Sequence, residues 1–119
     1  MIGKKVWATG DGFMNKTSNG GFDTHEALCV LNAGEKDANA KITVFFEDRE
    51  PLEGFSVVCK ARRSTHIRLD WIETDKGEKV PYGVPYSMLL ESDQPVVVQH
   101  SRMDVTQAEM TLMTTIAFS

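Results

Sequence analysis

The sequence is divided into short segments in which apolar and polar side chains alternate with a period of two. Ile42, Val44 and Phe46 share one side of such a segment, and Ile67 and Leu69 share one side of another. Successive side chains of a strand point to opposite faces, so this period indicates strands with one buried face. Clusters of Gly, Asn, Asp and Pro separate the segments, as turn residues do. Short strands with such regular turns predict an all-β sandwich or barrel.

Other local signals add little regular structure. Asp70–Glu73 and Thr106–Met110 could each form one helical turn. Gly10–Gly12 and Asn15–Gly21 are polar and rich in glycine, which predicts a long exposed loop. Ser92–Pro95 also carries turn residues and predicts a break in the chain's strands. We therefore expect strands joined by loops, with short helical turns at most.

The size and composition indicate one globular domain. A chain of 119 residues is long enough for one core and too short for two. Its hydrophobic fraction of 41% and charged fraction of 25% are those of soluble proteins. No apolar run approaches the roughly 20 residues of a membrane helix, and the first residues lack the apolar part of a signal peptide. We expect a single cytoplasmic domain over residues 1–119.

One predicted strand has an unusually polar second half. Pro95–Val98 is a β-branched run typical of a buried strand, and it continues into Gln99, His100, Arg102 and Asp104. Polar groups in a sheet interior must find partners or stay in contact with water. The segment therefore indicates either a binding surface or a polar network that fixes strand register or closes an oligomer.

Charge gives a second, weaker signal. The net charge of −4 argues against a general nucleic-acid binder, because such proteins are usually basic. Cations nevertheless cluster at Lys60–Arg63, with His66 and Arg68 following. Such a stretch is typical of a solvated strand edge, where cations discourage aggregation, or of an anion-binding patch. A DNA-associated regulator therefore stays an alternative.

Motifs of the common enzyme classes are absent from the sequence. It has no P-loop, no GxGxxG dinucleotide-binding motif, no HExxH zinc-protease motif and no GxSxG motif of serine hydrolases. His25, His66 and His100 with Glu26 could form a metal site on a β-scaffold, as in cupins. No two of these histidines have a spacing at which one strand or helix presents both. We expect no metal and no cofactor, with a metal-dependent cupin-like enzyme as an alternative.

The two cysteines lie in apolar, strand-like runs. Cys29 and Cys59 are 30 residues apart and form no CxxC motif. Free cysteines are among the most frequently buried residues. We expect both to be small buried hydrophobes kept reduced.

Four aromatic side chains carry a polar group: Trp7, Trp71, Tyr82 and Tyr86. Core packing is the usual role of a tryptophan. An aromatic platform beside Arg, Asp, Gln and His is also what sugar-binding β-sandwiches use. Tyr82 and Tyr86 lie in a proline-containing segment, which predicts loop aromatics that line a cleft or an interface.

Several segments together resemble one known family. In chain order they are Trp7-Ala8, His25-Glu26, Cys29–Gly34, Ala61–Arg63 with His66 and Arg68, Pro95–Arg102, and Gln107–Glu109 with Thr115–Ala117. Their order and spacing are similar to those of the bacterial sensory rhodopsin transducer family, over essentially the whole chain. The resemblance implies a single-domain β-sandwich of jelly-roll type, assembled as a homotetramer, with a signalling role and no catalysis.

The resemblance also implies partners. These are a membrane receptor or another signalling protein, a small polar ligand such as a carbohydrate, and, with weaker support, DNA. The candidate ligand-binding or interface residues are His25, Glu26, Arg63, His66, Arg68, Gln99, His100, Arg102 and Asp104. We expect the arginines to bind anions or hydroxyl groups, the two acids to accept hydrogen bonds and the histidines to bridge.

Overall fold

The part of the chain that the structure describes forms seven antiparallel β-strands. The structure, a computed structural model, describes residues 2–107 and 109–119. The strands are β1 (Lys4–Gly12), β2 (His25–Asn32), β3 (Ala38–Phe45), β4 (Leu52–Cys59), β5 (Arg63–Arg68), β6 (Tyr86–Asp104) and β7 (Thr111–Ile116). None of the described residues is helical, and so no helix that could cross a membrane is found among them. The predicted turn at Thr106–Met110 includes Ala108, which lies outside the described residues.

Two four-stranded sheets share the long strand β6. In the first sheet, the beginning of β6 pairs with β1 and β3, and β3 pairs with β4. In the second sheet, the end of β6 pairs with β2 and β7, and β2 pairs with β5. The strand order is therefore β1–β6–β3–β4 in the first sheet and β7–β6–β2–β5 in the second. This arrangement confirms the predicted all-β sandwich.

Strand β6 passes from the first sheet to the second through a bulge. Lys4 pairs with Val96 and Val6 pairs with Glu91, so two steps along β1 correspond to five along β6. The extra residues belong to Ser92–Pro95, and their proline, which has no N–H group, lies where the ladder is interrupted. The predicted break was wrong, because the segment bends a continuous strand.

The core fills the space between the sheets. Trp7 is 7% exposed, and its indole N–H donates to the carbonyl of Val96 at 2.9 Å, which confirms a core role for this tryptophan. The largest fully buried apolar side chains are Phe55, Met14, Leu28, Ile42, Leu69, Leu90, Val30, Val44, Val96 and Val98. Met14 lies between β1 and β2 and Leu69 directly follows β5, while the others come from both sheets, so burial of their apolar surface holds the two sheets together.

The two cysteines have different environments. Both are free thiols, and Cys59 is fully buried. Burial raises the pKa of the Cys59 thiol. Cys29 is only half-buried, because Leu28 and Val30 point into the core and the strand alternation turns Cys29 to the outside. The prediction of burial is therefore confirmed for Cys59 and was wrong for Cys29.

The segment between β1 and β2 is fixed at both ends. Gly10–Gly12 continues β1, so the prediction of a loop there was wrong, while most of Asn15–Gly21 is exposed as predicted. Met14 is fully buried, and its carbonyl accepts the amide of Gly83 at 2.7 Å. Near the other end, the Thr24 hydroxyl accepts the amide of Val105 at 3.0 Å.

Candidate functional site

Strands β2 and β6 bring three of the predicted residues together inside the sandwich. Glu26 pairs with Arg102 and Leu28 pairs with His100 in the antiparallel ladder. Alternate positions share a face, so Glu26, His100 and Arg102 lie side by side. Glu26 is fully buried and His100 is 4% exposed. The register of β2 and β6 therefore assembles this cluster, although Glu26 and His100 are 74 residues apart in sequence.

The Glu26 carboxylate accepts four hydrogen bonds. Its Oε1 accepts the Tyr86 hydroxyl at 2.6 Å and His100 Nε2 at 2.7 Å. Its Oε2 accepts the Phe13 amide and Arg102 Nε, both at 2.8 Å. A carboxylate offers about four acceptor positions, so these donors saturate it. We call Phe13, Glu26, Tyr86, His100 and Arg102 the Glu26 network.

The protonation states of this network follow from its contacts. Burial raises the pKa of Glu26, but hydrogen bonds from His100, Tyr86 and the Phe13 amide outweigh burial and hold this pKa below its ordinary value. Burial and the nearby charge of Glu26 both raise the pKa of Tyr86. At neutral pH, Glu26 is therefore an anion and Tyr86 a neutral hydrogen-bond donor. His100 Nε2 faces the carboxylate, so this nitrogen carries a hydrogen.

Arg102 connects the network to the surface. Its Nη2 donates to the carbonyl of Asp11 at 3.0 Å, and its side chain is 24% exposed. Together with the bond from the Phe13 amide to Glu26, this contact ties the end of β1 to the second half of β6. The network therefore holds fixed the place where β1 leaves the first sheet.

Arg68 belongs to a second cluster, at the end of β5. Its Nε and Nη2 donate to the two carboxylate oxygens of Asp70 at 2.8 and 2.7 Å. Burial raises the pKa of Asp70, but the Arg68 guanidinium outweighs burial and lowers it. The same guanidinium lies 4.1 Å from the centre of the Trp71 ring, and Trp71 is 67% exposed. Arg68 thus neutralises a carboxylate and orients an exposed indole.

Five predicted residues join neither cluster, and three of these make only local contacts. His25 Nδ1 lies 2.8 Å from the backbone carbonyl two residues before it. Arg63 is exposed and donates to the carbonyl of the preceding residue at 3.0 Å. Asp104 accepts the amide of the residue two positions later at 2.9 Å, as in an Asx turn. The contacts of these side chains are local.

His66 and Gln99 lie on the outer face of the second sheet, opposite each other across Cys29. They line a shallow cavity of about 380 Å³. We call this cavity the outer groove; its lining residues are Cys29, Val30, Leu31, Ser64, His66, Val97, Gln99, Ser101 and Thr114.

The histidines do not gather around a common point. His100 faces the interior, whereas His25 and His66 lie on the outward side of the second sheet. Within residues 2–107 and 109–119, no group of three or more His, Cys, Asp or Glu side chains is close enough together to hold a metal ion.

The basic stretch is largely ion-paired. Lys60 Nζ lies 3.6 Å from a carboxylate oxygen of Asp37, and Arg62 donates to Glu35 at 2.9 Å. These pairs are exposed and contribute little to stability. They nevertheless place negative charge beside the cations that an anion-binding patch would need.

Sequence reasoning missed the contribution of Tyr86 to the network. The proline-containing segment suggested a loop aromatic, but Tyr86 is the first residue of β6 and is 4% exposed. The missed signal was the period-two series Tyr86, Met88 and Leu90, whose members all point inward. Nothing in the local sequence marks the amide of Phe13 as a partner of Glu26.

Comparison with known proteins identifies a family. The family model described as Anabaena sensory rhodopsin transducer matches residues 2–119. The crystal structure of Thermotoga maritima 1070 is 38% identical, with a TM-score of 0.88, over 99% of this chain and 96% of that one. The structure of the Anabaena sensory rhodopsin transducer is 34% identical, with a TM-score of 0.76, over 90% of this chain and 94% of that one. No curated protein matches the sequence.

Proposed function

The chain belongs to the Anabaena sensory rhodopsin transducer family, and from this premise we propose that it is a signalling protein without catalytic activity. It assembles as a homotetramer, binds a receptor or another signalling protein, and binds a small polar ligand such as a carbohydrate. The observation that carries the proposal is the match along residues 2–119, together with the structural similarity to the Anabaena transducer.

The state of the buried acid supports a role without catalysis. A general acid or base must reach the proton that it transfers, through a direct contact or one water molecule. All acceptor positions of Glu26 are taken by the protein itself, and its side chain is fully buried. This carboxylate therefore acts on the fold and not on a substrate.

An apolar strand at the sheet edge supports assembly. All six residues of β7 are exposed, and Leu112 and Ile116 are 68% and 58% exposed. Phe118, which is 79% exposed, continues this strip and bridges to β1. Monomeric proteins rarely expose large apolar patches, and an unpaired strand edge is a template for association. We name Leu112, Met113, Ile116 and Phe118 the β7 surface and propose it as the subunit contact.

Sedimentation velocity tests the assembly. We expect the mass of four chains for the wild-type protein and a smaller species for Ile116→Lys, because a buried unpaired lysine opposes association. Val58→Lys is the matched control, since Val58 is 50% exposed on β4 of the first sheet. A wild-type monomer, or a tetramer that Ile116→Lys leaves intact, would contradict this subunit contact.

A receptor can be tested separately. The names of the family and of the Anabaena relative point to a sensory rhodopsin as the first partner to try. Titration of the full chain into a purified sensory rhodopsin in detergent micelles should give saturable binding. Absence of binding would leave the other signalling proteins as the proposed partners.

A further inference from the structure

A cavity of about 240 Å³ lies at one end of the first sheet, where β1, β3 and the beginning of β6 meet. It is lined by residues 10–12, 45–47 and 85–87, and we call it the end cavity. Phe45 and Ser87 pair in the ladder. Both belong to the outward face of the sheet, because Val44 and Met88 beside them are buried in the core. The end cavity is therefore separate from the outer groove, which belongs to the second sheet.

A glycine in β1 keeps this space open. Thr9 pairs with Met88 and Gly12 pairs with Tyr86, so three steps along β1 correspond to two along β6. The extra residue forms a bulge between these two pairs, and Gly10 lies within it. A Cβ atom added to Gly10 would meet no atom within 4 Å. The absence of a side chain at this lining position therefore leaves room for a small ligand.

The lining combines negative charge with aromatic carbon. Asp11 and Glu47 contribute two exposed carboxylates. Phe45, Phe46 and Tyr86 contribute aromatic rings. Among the described residues that line the end cavity, none is lysine, arginine or histidine. Carboxylates attract a cation by their charge, and the negative face of an aromatic ring attracts one as well. The chemistry of the end cavity is therefore that of a site for a positively charged ligand.

The nearby arginines do not take this role. Arg102 Nη2 lies 3.9 Å from the Asp11 carboxylate, which is 93% exposed, and the closer bonds of this arginine go to Glu26 and to the Asp11 carbonyl. The Arg49 guanidinium lies 5.3 Å from the centre of the Phe46 ring, but Arg49 lines a neighbouring cavity. This contact is a cation–π pair within the chain, and the end cavity offers the same chemistry to a cation from solution.

We propose that the end cavity binds a small organic ammonium ion, either a primary amine or a quaternary ammonium group on a short carbon chain. Calcium takes six or more oxygen ligands, and the two carboxylates of the lining are too few for it. An organic cation also uses the aromatic rings, because its C–H groups contact their carbon atoms. The volume of about 240 Å³ is below that of drug-sized sites, which limits the ligand to a small ion. This inference goes beyond the proposed function, which names no cationic ligand.

NMR titration of the isotope-labelled full chain tests the proposal. The probes are choline and propylammonium, and the matched control ligand is the neutral analogue of choline in which a carbon atom replaces the nitrogen atom. We expect saturable shifts of the Gly10, Gly12 and Ser87 amide signals with at least one cation, and roughly 5-fold weaker binding of the neutral analogue than of choline. Asp11→Asn and Glu47→Gln should each weaken binding of the cation by about 2- to 5-fold, because each removes one exposed charge.

Gly10→Leu tests the cavity itself, because its side chain enters open space and should abolish the saturable shifts. If this variant does not fold, Asp11→Asn and Glu47→Gln decide the question. Glu53→Gln is the control and should bind as the wild type does, since Glu53 is exposed on β4 and does not line the end cavity. Absence of binding by both cations, equal binding of choline and its neutral analogue, or binding that the folded cavity variants leave unchanged would overturn the proposal. Calcium chloride that causes the same shifts at lower concentration would also overturn it.

Discussion

Replacing Glu26 with glutamine measures what the buried network contributes to stability. Glutamine keeps the shape of the side chain but removes the negative charge that faces Arg102. Its amide nitrogen is expected to point to Tyr86 and His100, since a hydroxyl can turn to accept and an imidazole can change tautomer. The Phe13 amide and Arg102 then still donate to the side-chain oxygen of glutamine, but this oxygen is neutral.

The magnitude follows from the hydrogen bonds. A bond to a charged group contributes about 1.5–3 kcal/mol and a neutral bond about 0.5–1.5 kcal/mol, so each weakened bond loses about 1 kcal/mol. Four bonds reach Glu26, and partial rearrangement of the network leaves an expected loss of about 3 kcal/mol. The unfolding entropy of a chain of 119 residues is about 0.25 kcal/mol/K, so Tm should fall by about 12 °C.

Thermal unfolding followed by circular dichroism at neutral pH is the assay. Glu53→Gln is the control, because Glu53 is an exposed residue of β4, and its Tm should change by no more than about 2 °C. A Tm of Glu26→Gln as close to wild type as that of the control would refute the reasoning. Such a result would mean that the charge of Glu26 adds no stability beyond that of a neutral side chain of the same shape.

The pH dependence separates charge from shape. The native pKa of Glu26 lies below its ordinary value of 4.5. A carboxyl group with a lowered native pKa contributes stability that is complete above the unfolded value and is lost as pH falls through the native value. The difference in Tm between wild type and Glu26→Gln should therefore be constant near neutral pH and shrink below about pH 4.5. A difference that grows with acidity would contradict this sign.

Three further variants test separate parts of the structure. Tyr86→Phe removes one donor to the buried carboxylate and should lower Tm by about 4–8 °C in calorimetry; an unchanged Tm would show that the hydroxyl adds nothing. Gly12→Ala places a methyl group against the Tyr86 ring and should cost about 2 kcal/mol more in urea denaturation than Gly10→Ala, which has open space around it; equal costs would contradict this contact. Cys59, buried and with a raised pKa, should react with Ellman's reagent only on unfolding, whereas the half-buried Cys29 should react in the native protein. Cys59→Ser should therefore leave the fast phase of the reaction, which comes from Cys29, unchanged.

The fold could be predicted because strand alternation is a local property. The period-two positions at Ile42, Val44 and Ile67 indicate which side of each strand is buried, and the structure confirms it for all three. The bulge at Ser92–Pro95 could not be predicted in the same way. Its residues have the composition of a turn, and only the pairing of β6 with two different sheets makes them a bend inside a strand.

The candidate site was predicted less completely, since it depends on register. Glu26, His100 and Arg102 were all in the predicted set, but their contacts arise from pairing between β2 and β6. No spacing along the chain encodes that pairing. Arg68 was expected to bind an anion, and its partner is an anion of the same chain, Asp70, two residues away.

The polar half of β6 supports two roles because its residues alternate between two faces. His100 and Arg102 point inward and bind Glu26, while Gln99 and Ser101 point outward and line the groove. A shift of one residue would exchange these faces, leaving an unpartnered Gln99 in the core and placing the charges on the surface. The Glu26 network opposes that shift because its hydrogen bonds from β6 come from His100 and Arg102, which both lie on the inward face of this strand. The contacts that fix the register of β6 are therefore also the contacts that keep the outer groove in place.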